Sequence, residues 1–135
     1  MSSILGALEA LDAAVDAVRA ADLDALNPTE RFCVLDRMET ALRRQVAAGH
    51  AIIHRLEQFE GCPPVHIALS DALRISRAEA RRRIRDAAQL APRSTLIGEP
   101  LPAELPATAA AWHRGVLDPE HLRTIQKFIR ELPHH

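Results

Sequence analysis

Apolar residues in this chain recur every three or four positions, and the polar residues between them mark out about six helical segments. From Ile4 to Ala25 the apolar face is Ile4, Leu8, Leu11, Val15 and Val18, with Glu9, Asp12 and Asp16 between. That spacing predicts a helix with one buried face and one acidic face. It stops before Asn27-Pro28. Asn27 is placed to cap a second helix, Pro28 sits where a missing N–H costs nothing, and Glu30 three residues on completes a capping box. This second helix should run to about Glu60. Leu35, Leu42, Gly49 and Leu56 repeat every seven residues along it. Met38, Gln45, Ile52 and Phe59 repeat in the same way three positions later, and Val46 and Ile53 widen the stripe. The result is a heptad seam, which packs on the first helix, on another helix, or on a second copy of the chain. In a homodimer, Leu35, Leu42, Ile52 and Leu56 would form the interface. Gly49 in mid-seam allows close approach or a bend.

Gly61-Cys62-Pro63-Pro64 ends that helix. The next, Val65 to Leu73, should turn Ile67, Ala68 and Leu69 inward. A tight turn at Arg74 to Ser76 follows. Ser76 and Glu79 form a second capping box for a helix that closes before Pro92. Residues 93–107 hold Gly98, Pro100, Pro102 and Pro106, so they read as an extended linker. Leu96, Ile97, Leu101 and Leu105 suggest that it lies across a surface. Thr108 to Arg114 is a short helix closed by Gly115. Asp118-Pro119-Glu120 opens a last one with Leu122, Ile125, Phe128 and Ile129 on its inner face. The expected organisation is an all-α helical bundle, one domain in four parts. These are a long helical hairpin at 1–60, a helix-turn-helix-like pair at 65–92, the Pro-rich linker at 93–107 and a C-terminal helix pair at 108–132. The chain stops without a closing element after Leu132-Pro133-His134-His135, which reads as a fragment of a longer product.

Composition sharpens this. With three Phe, one Trp and no Tyr among 135 residues, the core must be built from Leu, Ile, Val and Ala. The formal net charge of -1 excludes a general polycation, so attraction to nucleic acid requires local asymmetry. That asymmetry is present. Met1 to Leu26 carries five acids (Glu9, Asp12, Asp16, Asp22, Asp24) against Arg19 alone. His66 to Arg93 carries seven arginines against Asp71, Glu79 and Asp86. No apolar run reaches the ~20 residues that a membrane span needs, and no secretory signal is visible. A cytoplasmic protein with two reduced thiols is the expectation, with Cys33 in the core and Cys62, beside two prolines, exposed.

The sharpest candidate chemistry lies on the helix after Ser76. At 100° per residue, Ala80, Ile84, Ala87, Ala88 and Ala91 form its core face. Arg77, Arg81 and Arg85 run along one edge, and Arg82 extends that edge outward. Glu79 with Arg83, and Arg82 with Asp86, are favourable i, i+4 pairs. A short helix, a turn and a basic helix outline a DNA-binding helix-turn-helix. In it Arg77, Arg81 and Arg85 would reach phosphates, with Arg82 near base edges. The fit is partial. Arg74 stands where the turn usually has Gly, and Arg83 where an apolar residue is usual. The competing reading is a solvated arginine face on an ordinary helix pair. His50 and His54 at i, i+4 lack a third ligand at useful spacing, although Glu57 is one turn on, so no metal is expected. Trp112 reads as a packing anchor. There is no P-loop, dinucleotide-binding glycine pattern, nucleophile elbow or HExxH, and hence no catalytic residue, cofactor or small-molecule substrate is expected in this chain.

Three strings are more specific: SRAEARRRI at Ser76 to Ile84, GEPLPAELPATAAA at Gly98 to Ala111, and GVLDPEH at Gly115 to His121. In these the chain resembles the actinobacterial 13E12-repeat family, whose shared part is a domain of unknown function, number 222. The resemblance implies association with a C-terminal HNH nuclease domain, in which histidines and an asparagine hold a metal. No such motif occurs in this chain, so no catalytic residue carries over. The expected function is therefore a non-catalytic helical module that binds double-stranded DNA or positions a nuclease. The alternative is a protein-interaction or oligomerisation module that works through the heptad seam without nucleic acid.

Overall fold

The computed structural model describes residues 1–56 and 61–133. Phe59 of the seam, Glu57, the expected helix end at Glu60 and the terminal His134 and His135 lie outside these residues. The fold is all-α. Its helices are α1 (Ser2–Ala20), α2 (Pro28–Ile53), α3 (Val65–Leu73), α4 (Arg77–Leu90), α5 (Pro106–His113) and α6 (Pro119–Glu131). A 3-10 turn at Leu23–Ala25 precedes α2. A two-residue antiparallel ladder, β1 (Arg93–Ser94) with β2 (Pro100–Leu101), precedes α5. The chain divides into two compact units, Met1–Arg37 and Met38–His135, with the division inside α2.

In the first unit, local chemistry sets the boundaries. α1 stops at Ala20 because Ala21 turns extended, and the Asp22 side chain then accepts from the Asp24 N–H at 3.1 Å to cap the 3-10 turn. The expected box at the start of α2 is formed. Asn27 Oδ1 accepts from the Glu30 N–H at 2.8 Å, and Glu30 Oε1 accepts from the Asn27 N–H at 3.0 Å. Two expectations fail here. The apolar face of α1 is not buried, since α1 contains no buried residue and Ile4, Leu8, Leu11, Val15 and Val18 are all exposed. Amphipathic spacing creates a face; it does not supply the surface that covers it. Cys33 is also exposed rather than in the core, beside an exposed Phe32.

The second unit holds the core. Ala47 of α2, Leu90 of α4, Ala109 and Trp112 of α5 and Leu122 of α6 form one buried cluster, flanked by Val46, Ala103 and Leu117. Trp112 is its largest member. The ring meets His50 edge-on, with centroids 5.3 Å apart and planes at 86°. The buried strip of α2 is Ala47 and His50, not the heptad seam. Leu35, Leu42, Ile52 and Leu56 are 60%, 52%, 56% and 44% exposed. The reason is size: the small side chain at Ala47 lets the broad indole of α5 approach, which a row of leucines would hold off. Closeness is sharper still at Gly115, which has φ 79° just after α5. A Cβ there would lie 2.6 Å from the Thr40 carbonyl oxygen of α2. Gly49, the expected site of close approach, has open space around it.

α3 packs chiefly on α4, and the turn between them is tied from inside. The Ser70 hydroxyl, buried at the junction, donates to the Ile75 carbonyl at 2.7 Å. Arg74 takes the left-handed conformation (φ 56°, ψ 43°) that Gly usually supplies in such a turn. Of the residues expected to face inward, Leu69 is buried and Ile67 half-buried, but Ala68 is exposed. The segment after α4 does not lie flat across a surface. It forms a hairpin, and Leu96 and Ile97 at its tip project into solvent.

Candidate nucleic-acid interface

Ser76 starts α4: its hydroxyl accepts from the Glu79 N–H at 3.0 Å. This fixes the helix phase, and with it the directions of the arginines. Ala80, Ala87 and Leu90 are buried together with Asp86, while Ala88, expected in the core face, is exposed. The inward face is therefore turned toward Asp86. That turn reorganises the charge pairs. Asp86 accepts from Gln126 Nε2 of α6 at 2.9 Å, and the same amide also donates to Gln89 Oε1 at 2.6 Å. With Asp86 so held, Arg82 pairs instead with Glu79, Nη2 to Oε2 at 2.8 Å. Arg83 Nε meets the other oxygen of Glu79 at 3.1 Å, as the spacing indicated. One carboxylate thus serves two guanidinium groups.

Arg77, Arg81 and Arg85 are exposed, and among the described residues none lies in an ion pair. Arg81 Nη2 lies 3.4 Å from His66 Nε2 of α3. Arg82 is half-buried and engaged, which makes it the least available of the four arginines singled out by sequence.

Three cations outside that set come together with these. Arg123, Lys127 and Arg130 of α6 line a cleft of about 440 Å³ with Arg82 and Arg85 of α4; among the described residues Glu104 is its one acid. The sequence signal was available: i, i+4, i+7 spacing on the side of α6 away from Leu122 and Ile125. A second cavity, about 480 Å³, opens between α2, α3 and α4 over Trp112. Several of its polar residues are already engaged: His50 Nδ1 with the Val46 carbonyl at 2.8 Å, Asp86 with Gln126, and Glu79 with its two arginines. Its other walls are mostly apolar, including Ile52, Ile53, Leu56, Leu69 and Leu73.

His54 is exposed, and among the described residues no three His, Cys, Asp or Glu side chains gather as a metal site. At the start of α6, Asp118 Oδ1 accepts from the His121 N–H at 2.9 Å. That hydrogen bond, aided by His121 and Arg43, holds the Asp118 carboxyl below the usual carboxylate range, against an opposing effect of burial. No helix among the described residues is long and apolar enough to cross a membrane.

Fold and surface together define a small all-α module whose most distinctive polar feature is a cation-lined interhelical cleft. The chain belongs to the family described as Domain of unknown function (DUF222), whose model matches residues 32–135. It is similar to an uncharacterized protein of Mycobacterium tuberculosis, 43% identical over 135 residues, covering 97% of this chain and 30% of that protein. An uncharacterized protein of Mycobacterium bovis is 42% identical over 135 residues, covering 96% of this chain and 29% of its own length. Another from M. tuberculosis is 38% identical over 131 residues, covering 94% and 59%. The chain thus spans about a third of the length of the first two relatives. No solved structure matches it.

Proposed function

We propose that this chain is a non-catalytic, cytoplasmic DNA-binding module that positions a nuclease domain on double-stranded DNA, with the basic edge of α4 as the contact. The observation that carries this is the state of Arg77, Arg81 and Arg85. They stand exposed along one helix edge and, among the described residues, without an acidic partner, while their neighbours Arg82 and Arg83 share Glu79. Phosphate contact is the chemistry such a row suits, since each guanidinium can donate two parallel hydrogen bonds to two oxygens of one phosphate. The α3–α4 pair supports the reading. Its turn is closed by Ser70, and Arg74 adopts the backbone conformation that the missing Gly would have taken.

The test is duplex binding followed by fluorescence anisotropy across a salt series. The wild-type chain should lose affinity steeply as salt rises. Arg77→Ala with Arg81→Ala should weaken binding and shallow the log–log salt slope by roughly 2, about 0.9 for each phosphate that is no longer neutralised. Absence of salt-sensitive binding to any duplex sinks the reading.

A second reading, self-association through α2, is favoured by one specific observation: the seam residues Leu35, Leu42, Ile52 and Leu56 are all exposed. In that case the arginines would be a solvated face.

A further inference from the structure

Building on the DNA reading of α4, we infer that the cleft between α4 and α6 holds the phosphodiester backbone of the same duplex, with Arg123, Lys127 and Arg130 as its second wall. At 100° per residue these three fall within about 60° of one another on α6. Leu122, fully buried, lies about 80° to 140° round the helix from them, so the docking of α6 on the core leaves the cations on its flank, beside Gln126. All three are exposed, and all three line the cleft that Arg85 enters from α4. Among the described residues none of these four is ion-paired. Among the described residues, Glu104 is the acid in the cleft wall.

Asp86 is buried and hydrogen-bonded to Gln126, and it lines the other cavity. Gln126 is held between Asp86 and Gln89, so the amides of Gln89 and Gln126, and not the Asp86 carboxylate, line the cleft. Like charges gathered along one cleft repel one another and focus a positive potential that an anion relieves.

The shape of that charge selects the anion. From Arg123 to Arg130 the row extends about 10 Å along α6, at 1.5 Å per residue. A single free phosphate covers only part of such a row. A duplex, with one charge per about 1.7 Å of axis, presents successive phosphates along it. Arg85 belongs both to the cleft and to the α4 edge, so Arg77, Arg81 and Arg85 lead into Arg123, Lys127 and Arg130. Contacts of this kind fix register on the duplex and carry no base preference.

The experiment compares the wild-type chain with Arg123→Gln, Lys127→Gln, Arg130→Gln together, using anisotropy on several duplexes of unrelated sequence over a salt series, with circular dichroism to confirm helix content. The triple variant should bind every duplex more weakly by a similar factor, and its salt slope should fall by roughly 2 to 3. If the triple variant keeps the wild-type affinity and slope while Arg77→Ala with Arg81→Ala still weakens binding, the cleft is not the backbone path and the α4 reading stands without it. If the wild-type chain binds no duplex, both inferences fall together.

Discussion

A few single residues decide how closely this chain packs. Gly115 is the clearest. It combines a positive φ with a position where any Cβ would press on the Thr40 carbonyl at 2.6 Å, and backbone cannot move aside as a flexible side chain can. Gly115→Ala should therefore destabilise the protein by roughly 2–4 kcal/mol, combining the left-handed backbone penalty with overpacking. A urea titration followed by Trp112 fluorescence reads this, and an unchanged midpoint would refute the assigned close approach. The sequence showed Gly115 only as a helix terminator. Thr40 is 75 positions away, and nothing local announces their meeting. Arg74 is the opposite case: the sequence flagged it as an anomaly, and the backbone resolves it by taking the left-handed conformation with a non-Gly residue.

Helices α2, α4 and α6 begin where the sequence puts them, because caps are local chemistry. Asn27, Ser76 and Asp118 each accept from the N–H three residues on. For Asp118 this has a pH consequence. Its carboxyl is held below the usual range, so the folded state binds its proton less readily than the unfolded chain. The stabilisation is present above the unfolded value of about 3.9 and is lost as pH falls through the folded value. Unfolding midpoints for wild-type protein should thus drop as pH goes from 5 toward 2, and Asp118→Asn, which keeps a capping oxygen without the titration, should flatten part of that drop. Equal acid sensitivity in the two proteins would remove Asp118 from the account. What the elements did not reveal was their facing. The phase of α4 is turned toward Asp86, so Ala88 is left outside and Arg82 pairs with Glu79.

At the scale of the molecule, the question is what the uncovered apolar residues of α2 are for. If self-association is the working property, multi-angle light scattering at micromolar concentration should give twice the 14.9 kDa chain mass, and Leu42→Glu with Ile52→Glu should return it to one chain. A single-chain mass at ~100 μM would set that reading aside and leave the proposal of duplex contact by α4 as the better-supported one. The two measurements are independent, because the seam positions and the arginine row share no residue.

What the sequence by itself determined is the all-α class, the order of the helices and the DUF222 strings, together with the α4 arginine row as a candidate. These follow from spacing, caps and breakers that act within a few residues. The tertiary structure alone decided which stripe of α2 is buried, that Asp86 is turned inward to Gln126, and that α6 brings three cations beside Arg85. Each depends on a partner from a distant part of the chain. Periodicity shows that a helix has two faces, but only the shape and charge of what packs against it select the one that is covered.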